Sequence, residues 1–192
     1  MNERTDKELA LSYLKGDSES FDLLVRRYLQ PIYYFCRTMV PGDETNDMVQ
    51  EVFIKVWKNF KKYDSSKNFK SWLFMIARNT CLDHLRKKQP IFFSEMIKED
   101  DSSSFEESVP DERATVYDHL AKEGVKKEVD LALGNLPPAT RVVFELYYRE
   151  EMTFQEIAEI LKLSVNTVKS RHLRGLKALR GYFEGSNAPK LA

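Results

Sequence analysis

Lys169, Arg171, Arg174, Lys177 and Arg180 follow one another at helical spacing, and no Asp or Glu occurs between Lys162 and Arg180. A helix with cations of one sign and no counter-charge suits the major groove of DNA, where its first residues reach base edges and its Lys and Arg meet phosphates. A second set consists of Trp72, Asn79, Asp83 and Arg86, whose separations of seven, four and three place them on one stripe of a helix. Between Lys55 and Lys88 there are ten Lys or Arg against only Asp64 and Asp83. An aromatic ring, an amide and a guanidinium in a basic field are the groups that grip unpaired bases and their backbone. The plainer alternative is that Trp72 is core and Asn79 simply exposed. A third set, Asp47, Gln50 and Glu51 around Ile54, offers carboxylates and an amide about one apolar side chain. That combination fits a protein-binding face.

Other chemistries lack their residues. His84, His119 and His172 are scattered, and the sequence contains no paired nucleophile and base, no set at metal-ligand spacing and no phosphate-binding glycine loop. No catalytic residue, metal or cofactor is therefore expected. Cys36 and Cys81 are far apart in the sequence and fall in apolar helical patterns, so both read as buried thiols of a reducing cytoplasm. No stretch approaches the roughly 20 apolar residues that span a bilayer. The start, Met1 to Glu8, is too charged for a secretory signal, and the reading is of a cytoplasmic protein that does not insert into membranes. The 192 residues carry a net charge of zero, but the charges are segregated along the chain, so the total does not argue against nucleic acid.

The elements that must position these groups are all helical. Thr5 and Glu8 form a capping-box pattern that opens a first helix, which Gly16 stops. A second helix begins near Asp17 or Ser18, with a kink expected at Pro31, and reaches the Pro41-Gly42 break. A third spans Asp43 to Phe60, with Val49, Val52, Phe53, Val56 and Phe60 on its core side. A fourth runs from Asn68 to about Lys88. Between Ile91 and Glu123 the composition turns to ten Asp or Glu against three Lys or Arg, the mark of an acidic flexible linker. Lys126 to Leu133 resumes a helical pattern, Leu136-Pro137-Pro138 breaks it, and Ala139 to Tyr148 continues. Thr153 to Glu156 is a second capping box, and Ile157, Ala158, Ile160 and Leu161 give the next helix its buried face, Ala158 allowing a close crossing. Lys162-Leu163 is a tight connection at which Gly is the usual residue, and Ser164 is an N-cap for the basic helix. The last pair is a helix-turn-helix. The expected fold is all-α, with a domain over residues 1–90, a linker over 91–122, a second domain over 123–184 and a tail over 185–192.

Three blocks in this order resemble the extracytoplasmic-function sigma factors of bacteria. They are Asp47 to Trp57, then Phe69 to Thr80 with Leu82 to Arg86, and then Leu136 to Arg141 leading into Ile157 to Leu161 and Thr167 to Arg171. The resemblance implies a sigma region 2 bundle and a sigma region 4 helix-turn-helix, and a protein that binds core RNA polymerase and directs promoter-specific initiation. The partners it implies are the beta-prime clamp helices, the beta flap, promoter DNA and an anti-sigma protein. By position, Asp47, Gln50, Glu51 and Ile54 fall on the polymerase-binding helix. Trp72, Asn79, Asp83 and Arg86 fall where the family meets the minus-ten element, and Ser164, Thr167, Lys169, Ser170, Arg171 and Arg174 where it meets the minus-thirty-five element. Met75 and Ile76 replace the tryptophan pair of housekeeping sigma factors, which implies weaker strand separation, and His172-Leu173 reverses a pair often found as Leu-His. The alternative, a free-standing helix-turn-helix regulator, accounts for the last two helices but leaves the Trp72 stripe without a use.

Overall fold

Seven α-helices are described, and a capping box begins the first. In the computed structural model the described residues are 4–40, 42–88, 129 and 131–185, with side chains described as far as Phe183. The linker expected over 91–122 and nearly all of the tail expected over 185–192 lie outside the described residues. The chain divides into two units, Met1–Ser94 and Glu95–Ala192.

In the first unit α1 (Asp6–Leu14) starts where the Thr5 hydroxyl accepts the Glu8 amide and the Glu8 carboxylate accepts the Thr5 amide, the reciprocal pairing read from the sequence. Gly16 turns the chain at φ +103°, a conformation that strains any residue with a Cβ. The long helix α2 (Ser18–Met39) runs on through Pro31. Proline removes one backbone bond there, but Ile32, Phe35, Cys36 and Met39 are fully buried beyond it, and their burial keeps the second half helical. Asp6 accepts hydrogen bonds from Arg27 and from the Tyr28 hydroxyl, tying α1 to α2.

The third helix, α3 (Thr45–Asn59), starts two residues later than the sequence suggested, because Thr45 donates its hydroxyl to the carbonyls of Gly42 (2.9 Å) and Val40 (3.2 Å) and fixes the turn. A 3-10 turn over Phe60–Lys62 follows, and then α4 (Phe69–Lys88). Val52 and Val56 of α3 and Leu73, Phe74, Ala77, Cys81 and Leu85 of α4 are buried, and the two helices pack together. Cys36 and Cys81, distant in the sequence, face each other there as free thiols, Sγ to Sγ 3.7 Å. The Cys36 contact and then burial push the Cys81 thiol well above its ordinary pKa, which keeps it protonated and unreactive.

In the second unit residues 129 and 131–134 are helical, in keeping with the pattern expected from Lys126 to Leu133. Next comes α5 (Pro138–Phe144), with proline at the position whose amide would have no partner, and it continues into a π-helical turn over Glu145–Arg149. Arg141 closes the preceding turn by donating to the carbonyls of Leu133 (3.0 Å), Gly134 (2.6 Å) and Leu136 (2.9 Å). The capping box of Thr153 and Glu156 opens α6 (Phe154–Leu161), and Ser164 caps α7 (Val165–Gly185). Lys162 takes the left-handed conformation, φ 54° and ψ 48°, that glycine usually supplies. Val142, Val143, Leu146, Ile157, Ile160 and Val168 form the core of this unit. Ala158 is buried in the helix-turn-helix pair. A second close approach, which the sequence reading did not single out, is that of α7 to α5 at Gly175, where a Cβ would stand 2.3 Å from Phe144 Cε2 and 2.8 Å from Thr140 Cγ2.

Candidate partner-binding and nucleic-acid interfaces

The outward face of α3 carries Asp47, Gln50, Glu51 and Ile54, all exposed, while Val49, Val52 and Val56 are buried behind them. Phe53, expected in the core, is half-buried. Ile54 is 50 % exposed, and Trp57, one turn further on, is 57 % exposed. Trp57 was not picked out from the sequence, although periodicity held the signal. Seven residues after Gln50 and three after Ile54, it falls within about 20° of the Gln50 line and about 60° from Ile54, on the same side of the helix. Glu51 is paired with Lys55 at 2.8 Å, so its carboxylate is held along the helix surface. Two large apolar side chains left in water among carboxylates and an amide make a surface that gains by being covered by another protein.

On α4 the expected stripe divides. Asn79, Asp83 and Arg86 are exposed, with Arg86 to Asp83 at 3.1 Å and the Asn79 Oδ1 accepting from Arg78 at 3.0 Å. Trp72 is half-buried, its ring 5.0 Å from Tyr63 and 5.8 Å from both Phe60 and Phe69. The indole is fixed by core rings and keeps some surface. Met75 and Ile76 are half-buried. At the far end Glu44, ahead of α3, accepts from Lys88 and from His84 Nε2 (2.7 Å) and links the two helices. The Lys88 bond, followed by that from His84, holds the Glu44 carboxyl below its ordinary pKa.

The six residues named for α7 also part. Ser164 and Arg174 are exposed and Lys169 and Ser170 half-buried, but Thr167 is 7 % and Arg171 3 % exposed. Thr167 and Arg171 are therefore corrected from surface groups to interior ones. Thr167 pairs its hydroxyl with Ser164 at 2.8 Å while its amide donates to Ser164 Oγ at 3.0 Å, so both side chains serve the helix start. Arg171 is buried next to His172, as is Val168 one turn earlier. His172, whose role the sequence left open, is 3 % exposed and ringed by Phe144, Tyr147, Tyr148 and Phe154 at centroid distances of 4.8 to 5.6 Å. Its Nε2 meets the Tyr148 hydroxyl at 3.0 Å, and burial lowers its pKa to about 4. A neutral imidazole in a box of rings is a core group. Asn166, in the first turn of α7, is exposed.

Among the described residues no cluster of His, Cys, Asp or Glu could hold a metal ion, and no helix is long and apolar enough to cross a membrane.

Residues 24–91 match the family model for sigma-70 region 2, and residues 126–179 that for sigma-70 region 4. The chain is 35 % identical over 178 residues to the ECF RNA polymerase sigma factor SigW of Bacillus subtilis, covering 86 % of this chain and 90 % of that one. It is 28 % identical over 176 residues to the ECF RNA polymerase sigma-E factor of Escherichia coli K12, covering 91 % and 92 %. Among solved structures its fold is similar to that of CnrH in complex with the cytosolic domain of CnrY, with a TM-score of 0.63 at 23 % identity over 95 % of this chain and 99 % of that one. RpoE in complex with the anti-sigma factor NepR from Bartonella quintana has the same TM-score at 22 % identity, covering 88 % and 99 %. With both conserved regions present in one chain, and relatives matched over nearly their full length, the chain belongs to the extracytoplasmic-function sigma factors.

Proposed function

We propose that this chain is the promoter-specificity subunit of a bacterial RNA polymerase. The α3 face binds core enzyme, α4 meets the minus-ten element and α7 the minus-thirty-five element. The observation that carries this reading is the exposure of Ile54 and Trp57 among Asp47, Gln50 and Glu51, a face that a free-standing regulator has no use for. On α4, Asn79, Asp83 and Arg86 supply the polar contacts, beside an indole held still by its ring neighbours. On α7, Lys169, Ser170 and Arg174 meet DNA, Ser164 and Thr167 fix the helix start, and Arg171 supports the helix from inside. In this reading catalysis belongs to the polymerase. An anti-sigma protein, of the kind that accompanies RpoE in its structure, is a further expected partner.

In vitro transcription with core polymerase on a fragmented genomic library tests the proposal. The expected result is a defined set of start sites that share upstream elements and are absent with core enzyme alone. A start-site map indistinguishable from that of core enzyme would reject it.

A further inference from the structure

Asn166 is exposed in the first turn of α7, and its side chain makes no hydrogen bond among the described residues. The other polar group of that turn, the Thr167 hydroxyl, is taken up with Ser164. With about 100° between successive residues, Leu173 lies within about 20° of the line through Asn166, while Lys169 and Arg174 stand about 60° and 80° to either side. The leading half of the outward arc is thus neutral along its middle and cationic along both rims. In a groove the rims meet the two phosphate strands and the middle meets the base edges. A side-chain amide at that point carries one acceptor and one donor, the pattern complementary to the N6 amino group and N7 of adenine. A phosphate would use only the donor.

We propose that Asn166 is a specificity-determining residue of this protein, taking one adenine in the upstream promoter element through its amide. The proposal rests on α7 being the helix that meets duplex DNA.

The test uses holoenzyme formed from the full chain and core polymerase, on a promoter library randomised through the upstream element. Wild-type protein is expected to prefer adenine at one position. Asn166→Ala should lower that preference about fivefold or more and leave other positions alone. Asn166→Asp, which keeps an acceptor and loses the donor, should move the preference at that position toward cytosine. Lys169→Ala should weaken use of all library members alike, as loss of a phosphate contact does. An unchanged preference in both Asn166 variants, with Lys169→Ala still weakening use, overturns the assignment of Asn166 and leaves α7 as the reading helix. Unchanged behaviour in all three variants and in Arg174→Ala overturns the reading of α7 itself.

Discussion

Half of the Ile54 side chain is in water one turn from a still more exposed Trp57, and neither contributes to the sealed core of Val52 and Val56 behind them. Changing them should therefore alter association and spare folding. Ile54→Glu and Trp57→Ala are each expected to lower affinity for core polymerase by at least about 2 kcal/mol, with helix content and melting temperature unchanged. Titration of labelled protein with core enzyme reads this directly, and wild-type affinity in both variants would place the binding face elsewhere. His172 makes the opposite case, a titratable side chain with no surface to act from. Its folded pKa of about 4 lies below the ordinary 6.5, so the unfolded chain binds the proton more readily between those values. Stability of the second unit is then fully present above about pH 6.5 and is lost as pH falls toward 4, by on the order of 2 to 3 kcal/mol. His172→Phe, which keeps a ring in the box, should flatten that slope when hydrogen exchange of α6 and α7 amides is followed against pH. A wild-type imidazole titrating near 6.5 by NMR would contradict the burial argument. At this scale the sequence was legible where a residue's exposure follows from its own helix, as for Ile54. It was not legible where the role depends on a neighbouring helix: a basic pattern looks the same whether Arg171 points out or in.

Local bonding wrote the helix starts plainly into the sequence, since the boxes of Thr5 with Glu8 and Thr153 with Glu156 close within four residues and need nothing from the rest of the fold. Closures that join distant positions were harder to read. Arg141 reaches back to three carbonyls, Glu44 bridges to His84 and Lys88, and Cys36 meets Cys81, all through packing that spacing does not reveal. The close approach of α7 to α5 belongs to this class. A glycine inside a helical pattern was its only sequence sign. Gly175→Ala gains helix propensity of up to about 1 kcal/mol but drives a methyl group into the buried Phe144 ring, where overpacking costs about 1 to 3 kcal/mol. A net loss of about 1 kcal/mol or more is expected in chemical denaturation of the second unit. Lys162→Gly should do the reverse and gain about 1 kcal/mol, because an exposed residue with a Cβ now occupies left-handed backbone. A stabilised Gly175→Ala together with a destabilised Lys162→Gly would show that the turn and crossing differ from those described.

The chain as a whole balances its charges to zero while setting a basic stretch around α4 and another along α7, so its nucleic-acid chemistry is hidden in the total and visible only in the order. Order also governs stability. Phe35, Leu73 and Phe74 are buried in the first unit and Leu146, Ile157 and Ile160 in the second. Units with separate cores need not unfold together, and substitutions in different units should add without coupling. Both tryptophans, Trp57 and Trp72, lie in the first unit, so indole fluorescence reports that unit alone, whereas far-ultraviolet circular dichroism reports the helices of both. In denaturant, Gly175→Ala is expected to move part of the dichroism transition to lower concentration and to leave the fluorescence midpoint where wild type has it. The double variant Gly175→Ala with Leu73→Ala should show the two single effects summed to within about 0.5 kcal/mol. A fluorescence midpoint that shifts with Gly175→Ala, or a coupling larger than that sum allows, would mean that the two cores are one cooperative structure.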